Sequence, residues 1–170
     1  MRNKKPTPVV SFVAAGSNSG KTTLIEKVVK ALKGRGLRVA VIKHASKGFD
    51  LDQPGKDSWR FRQAGADAVV LVGPGETAII ETTDHEPSPE ELEGRVNADI
   101  VIHEGFKKSA RNKIEVFRAG ISADRPLCLD DRTFSALVSD KQFDVPVPFF
   151  DLNDATGVAE FIVKKFVQKS

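Results

Sequence analysis

A chain of 170 residues with 40% hydrophobic and 29% charged side chains is long enough for one compact domain and too apolar for a disordered segment. Its net charge of +3 and sequence pI near 9.0 favour anionic ligands weakly. Alone they do not imply nucleic acid, and the lack of a basic helix stripe and of interleaved aromatic and basic residues argues against it. The single cysteine, Cys128, excludes an internal disulfide and points to a reducing, cytoplasmic setting, as a buried inert thiol in the apolar stretch 126–129.

Residues 8–14 are an apolar, β-branched run of the kind that is covered on both faces of a sheet. The run is too short for a bilayer and leads directly into a Gly/Ser-rich loop, so a core strand is expected and a signal peptide or membrane span is not. Residues 22–33 carry Leu24, Ile25, Val28, Val29 and Leu32 at helical spacing and stop at Gly34 and Gly36. Residues 37–43 read as a second buried strand, and strand–helix–strand implies a parallel sheet. Residues 44–56 are polar and irregular, after which Asp57 is placed as the N-cap of a helix over 58–64. Strands at 67–72 and 77–81, joined by Gly73-Pro74-Gly75, predict an antiparallel hairpin. Ser88-Pro89-Glu90-Glu91 is a helix start.

A buried-type strand over 99–103 ends at Glu104, and a basic loop over 105–113 holds Lys107, Lys108, Arg111 and Lys113. Further strands are expected at 114–118, 134–138 and 147–150. Asp154 caps a last helix, with Val158, Phe161, Ile162, Val163 and Phe166 partly facing the core and Lys164, Lys165 and Lys169 in solvent. The fold class is therefore α/β: a single three-layer P-loop domain over 1–170, with a mostly parallel sheet and an antiparallel hairpin added at one edge.

The segment Ala15-Gly16-Ser17-Asn18-Ser19-Gly20-Lys21-Thr22-Thr23 matches Walker A spacing, with Ala15 where glycine is commoner. Each part has a physical task. Gly16 and Gly20 permit backbone angles that turn successive N–H groups toward an anion. The helix that starts near Lys21 adds its positive dipole end. Lys21 reaches the β- and γ-phosphates, and the Thr22 hydroxyl ligates Mg²⁺. A Ser/Gly-rich turn ending in lysine by chance is the competing account. The preceding strand and the following amphipathic helix favour a phosphate cradle over residues 16–23.

Such a cradle needs an acid at the end of another buried strand, and Glu104 stands there, to hold the magnesium shell or to orient water. Asp99, at the opposite end of that strand, reads as structural. The alternative for Glu104 is a cap on a surface loop. His103 alternates away from Glu104 and is expected to pack. His44, after Lys43 at a strand's C-terminal end, is open to two readings, a substrate contact or a satisfied structural histidine. No His or Cys cluster has metal-site spacing. Asn112-Lys113-Ile114-Glu115 resembles a guanine-reading motif, but it begins a strand where that motif should follow one. Ser139-Asp140 does follow a strand, which makes Asp140 a candidate for guanine contact.

Together these residues resemble the molybdopterin-guanine dinucleotide biosynthesis protein B (MobB) family over roughly residues 9 to 165. The likeness rests on residues 16–24, Val41-Ile42-Lys43-His44, Phe49, Asp52, Pro54-Gly55-Lys56-Asp57-Ser58, Arg62-Gln63-Ala64-Gly65-Ala66, His103-Glu104-Gly105-Phe106-Lys107 and Lys113-Ile114-Glu115-Val116. Ala15 departs from the family pattern, as does Lys47, where the family often has a histidine. The resemblance implies a GTP-binding homodimer with weak GTPase activity. It further implies an accessory role to the guanylyltransferase that attaches GMP to molybdopterin, with molybdopterin-bearing enzymes as further candidate partners. Lys43, His44, Asp52, Lys56, Asp57 and Lys107 are then candidates for a substrate or partner site. Hydrolysis is expected to be slow, because neither an arginine finger nor a water-orienting glutamine is evident in the chain. Two other readings use the same loop: a small-molecule kinase, which needs an acceptor site and an arginine-rich lid, and a nucleotide-gated adaptor with negligible turnover.

Overall fold

The computed structural model describes residues 6–49, 51–107, 111–121 and 124–168. These group into two compact units, one formed by the chain up to His44 together with the chain from Leu92 onward, the other by Ala45–Glu91. The first unit holds a six-stranded sheet of β1 (Val9–Val13), β2 (Val39–Lys43), β5 (Ile100–Glu104), β6 (Lys113–Phe117), β7 (Phe134–Ser139) and β8 (Phe149–Asp151). Their order is β2-β5-β1-β6-β7-β8, and every pairing is parallel. The expected strand over 147–150 thus begins two residues later.

Strand alternation sorts the core into two layers. Val10 and Phe12 of β1, Ile100 and Ile102 of β5, Ile114 and Val116 of β6, and Ala136 and Val138 of β7 form one cluster. It also takes Leu24, Ile25, Val28 and Leu32 of α1 (Lys21–Gly34) and Val158, Ala159 and Ile162 of α4 (Ala155–Ile162). Val13, Phe117 and Leu137, at strand positions of opposite phase, form a second cluster with Phe134 at the start of β7 and Cys128. The Asp154 carboxylate accepts the Gly157 N–H at 2.9 Å, the cap expected of it, and a π-helical turn, Val163–Val167, buries Phe166. β2 is an edge strand, which is why it is half-exposed where its apolar sequence predicts burial.

Cys128 lies buried in a short 3-10 turn, Leu127–Leu129. Burial, then the charge of Glu115 and a hydrogen bond to it, push its thiol up to about 12. Glu115 itself is fully buried and accepts the backbone N–H groups of Leu127 (2.8 Å) and Cys128 (2.9 Å).

The second unit carries α2 (Asp57–Gln63) and the hairpin of β3 (Ala68–Gly73) and β4 (Glu76–Glu81), turned through Pro74 and Gly75. The hairpin is a two-stranded sheet of its own, and not the edge addition that was expected. Asp57 is the first helical residue and Lys56 the N-cap, one position earlier than expected; Asp57 acts as a first-turn acid. The capping box at α3 (Pro89–Arg95) is formed, with Ser88 Oγ accepting from Glu91 N and Glu91 accepting from Ser88 N. Among the described residues no helix is long and apolar enough to cross a membrane.

Candidate functional site

β1 lies between β5 and β6, so the sheet changes direction of winding at its C-terminal end, where open parallel sheets leave a crevice for ligands. The loop 14–20 emerges there and runs into α1. Asn18 (φ 60°) and Gly20 (φ 83°) adopt left-handed backbone, the second as the N-cap of α1. For glycine that conformation is free of strain. An asparagine tolerates it better than most side chains. The α1 N-terminus has no capping side chain and no acid in its first turn, which leaves its N–H groups and dipole available to an anion. Gly16 through Thr23, together with Arg118, line a cavity of about 370 Å³.

Glu104 reaches this region by strand phase. Ile100 and Ile102 face α1, so Glu104, two residues on, does too, and its Oε1 accepts a hydrogen bond from Thr22 Oγ1 at 2.7 Å. Lys43 is its register partner on β2, with Nζ 3.4 Å from Glu104 Oε2. The ammonium supplies the counter-charge that a carboxylate only 8% exposed requires. Thr22 and Glu104 therefore offer two hard oxygens side by side at the head of the helix. This donor set suits Mg²⁺, which takes one or two protein oxygens and completes its shell from water and phosphate. Among the described residues no group of three or more His, Cys, Asp or Glu is arranged to hold a metal by itself.

The turn after Glu104 is tight. Gly105 has φ 104° and Phe106 φ 51°, and a Cβ on Gly105 would come within 3.3 Å of His44 Cβ. His44 donates its backbone N–H to the Glu104 carbonyl (3.0 Å), and its ring lies 5.1 Å from that of Phe106. On the opposite face of β5, His103 is fully buried, 4.7 Å from the Phe106 ring and 3.3 Å from a Glu93 carboxylate that also binds Arg111. This is the packing role expected of His103. Lys107 extends back to the loop, donating to the Ala15 carbonyl at 3.1 Å. Lys108 lies outside the described residues.

Asn112 donates to the Val9 carbonyl, Lys113 pairs with Asp131, and Glu115 holds the 3-10 turn, so the guanine-like tetrapeptide is built into the start of β6. Asp131 is held below the ordinary carboxylate range by hydrogen bonds from Thr133 and by Lys113. In the second unit, Asp52 is buried and accepts from Ser58 Oγ at 2.8 Å, while its other oxygen has no hydrogen-bond partner among the described residues. Lys56 and Asp57 are exposed there.

A family model described as MobB, molybdopterin guanine dinucleotide synthesis protein B, matches residues 9–140. The chain belongs to the MobB family. The molybdopterin-guanine dinucleotide biosynthesis adapter protein of Escherichia coli is 36% identical over 172 aligned residues, 96% of each chain. The protein of the same name from Haemophilus influenzae is 35% identical over 152 residues, 86% of this chain and 83% of its own length. A crystal structure of molybdopterin-guanine biosynthesis protein B superposes with a TM-score of 0.73 at 31% identity, covering 92% of this chain and 98% of that one.

The match to the MobB model spans the phosphate loop, Lys43-His44, the segment 52–58 and residues 103–107, and it ends at Asp140. The sequence reading does not single out one residue that lines the cavity, Arg118. Its signal lies in the phase of β6: Ile114 and Val116 face α1, and Arg118 is the next position of that series, one step beyond the strand.

Proposed function

We propose that the chain is a GTP-binding adapter in molybdenum cofactor biosynthesis that assists attachment of GMP to molybdopterin. The observation that carries the reading is the cavity at the head of α1, lined by residues 16–23 and Arg118, with Thr22 hydrogen-bonded to Glu104. A left-handed loop, an uncapped helix N-terminus and Lys21 together favour a polyphosphate over any neutral ligand. Mg²⁺, when bound, would draw on Thr22 and Glu104 and neutralise charge on the phosphates. Lys21 supplies a second positive charge, and Glu104 the base that holds or orients water. Slow GTP hydrolysis fits this set, with nucleotide state serving chiefly to gate contact with a partner.

The adapter role draws support from relatives that carry that word in their names. The hairpin adds support for protein contacts, including self-association to a homodimer. Val72 and Ile79 are 79% and 63% exposed, and a lone two-stranded hairpin is marginal in water without a covering surface. The molybdopterin guanylyltransferase and molybdopterin-bearing enzymes are the partners this reading names.

The test is calorimetry with Mg²⁺. GTP binds the wild-type chain, ATP competes poorly, and Lys21→Ala abolishes binding. Equal GTP affinity in that variant would show that the site is elsewhere.

A further inference from the structure

Arg118 and Asp140 occupy equivalent places on adjacent strands. β6 and β7 pair Val116 with Val138 and Phe117 with Ser139, so the next step sets Arg118 opposite Asp140. Asp140 Oδ1 accepts the Ala119 N–H at 2.9 Å, and its Oδ2 lies 3.7 Å from Arg118 Nε. The carboxylate thus holds both the backbone after Arg118 and the root of its guanidinium. The following loop closes on the phosphate loop, since a Cβ on Gly16 would lie 3.7 Å from the Ile121 carbonyl. Among the described residues, Arg118 is the one that lines the cavity from outside the segment 16–23.

The flank on which Arg118 stands decides what it meets. Thr22 and Glu104 lie on the β5 side of β1 and would hold a magnesium there, which would neutralise charge on the terminal phosphates of a bound nucleotide. Arg118 rises on the β6 side. A nucleotide with its terminal phosphates toward Glu104 runs its α-phosphate and nucleoside across the loop toward β6. We propose that Arg118 binds the α-phosphate of the nucleotide, and that Asp140 is a positioning residue that aims the guanidinium at it. This deepens the nucleotide reading above and rests on it. It also gives Asp140 a role other than contact with the base.

The experiment measures GTP and GDP binding, each with Mg²⁺, to wild type, Arg118→Ala, Arg118→Lys, Asp140→Asn and the Arg118→Ala/Asp140→Asn double variant. Arg118→Ala weakens GTP and GDP equally, by about 10- to 100-fold, the range of a charge-assisted contact. Arg118→Lys regains part of that loss, because charge persists without the planar fork. Asp140→Asn loses less than Arg118→Ala, and the double variant binds as Arg118→Ala does, which an independent structural role of Asp140 would not produce. Loss of GTP binding alone would place Arg118 at the γ-phosphate and overturn the proposal, as would unchanged affinity for both nucleotides. Additive losses in the double variant would overturn the role of Asp140. Thermal melts without nucleotide separate binding from folding: a variant that is weakened only by unfolding melts early. In that case Arg118→Lys, which keeps the charge, provides the GTP/GDP comparison. A wild-type chain that binds neither nucleotide refutes the underlying site reading itself, whereas normal binding with an inert Arg118 refutes only this inference.

Discussion

Thr22→Val isolates the metal end of the site, because valine keeps the shape of threonine and removes only the hydroxyl. That hydroxyl donates to Glu104 at 2.7 Å, and the other carboxylate oxygen faces Lys43 at 3.4 Å. Thr22 is exposed and Lys43 continues to serve the carboxylate, so the lost bond costs about 1 kcal/mol, below the range for fully buried charged partners. With about 2.1 cal/mol/K of unfolding entropy per residue, the chain loses about 3 °C in Tm per kcal/mol, and the variant melts about 3 °C lower. The functional effect is larger and conditional. With Mg²⁺ present the variant lacks a metal ligand, and GTP affinity falls about 10-fold or more; in EDTA, where no metal is bound, it changes less than about threefold. Calorimetric titration of both proteins under both conditions gives the ratio of affinities with and without the metal. If that ratio is the same in Thr22→Val as in wild type, Thr22 is no magnesium ligand and the Thr22–Glu104 pair is only a structural hydrogen bond.

Two further changes test the surroundings of the site. Gly105→Ala forces a side chain into left-handed backbone at φ 104° and to within 3.3 Å of His44 Cβ. It is expected to cost about 1–2 kcal/mol, lower Tm by about 3–6 °C, and weaken Mg²⁺-dependent binding through the displaced Glu104; a wild-type melt would contradict this. Cys128, its thiol pushed up to about 12, carries about a thousandfold less thiolate at pH 8 than a thiol at the ordinary 9.0, so iodoacetamide labels it at full rate only after denaturation. Because the folded-state value is the higher one, the thiol's contribution to stability is present in full below about pH 9. It is lost as pH rises toward 12, which Cys128→Ala removes from the pH dependence of the urea midpoint.

The sheet was legible wherever burial imposes a pattern. Val9–Val13, Ile100–Glu104 and Phe134–Ser139 are buried throughout, and apolar runs mark all three. Legibility failed where local preference is degenerate. Asp57 and Lys56 exchange roles at the α2 start because an acid is welcome both as a cap and in the first turn. β8 is short and half-exposed, and its flanking Val147 packs in the second core cluster without joining the strand, so hydrophobicity alone set its start too early. The hairpin was read correctly as a hairpin, but a turn signal such as Pro74-Gly75 says which two strands pair and nothing about whether a sheet edge continues beyond them.

The site divides along the same physical line. Glu104 is legible as a candidate because an acid that ends a buried strand is locally conspicuous. Arg118 and Asp140 obey the same alternation: Ile114, Val116, Arg118 and Ala136, Val138, Asp140 are both series in which two buried residues facing α1 are followed by a charge. Lys43 completes the pattern on β2, where Val39 packs against the same core layer. Phase is written locally and places each of these four charged residues on the α1 side. Strand order is written nowhere locally, because a parallel strand's neighbours are set by crossover connections dozens of residues long. Only the order β2-β5-β1-β6-β7 puts Lys43 beside Glu104, Arg118 beside Asp140, and the two pairs on opposite flanks of the phosphate loop. A sequence reading that follows each alternation to the strand's last residue or one step past it would recover all four residues as a set. Telling which flank of the phosphate loop each pair stands on requires the fold.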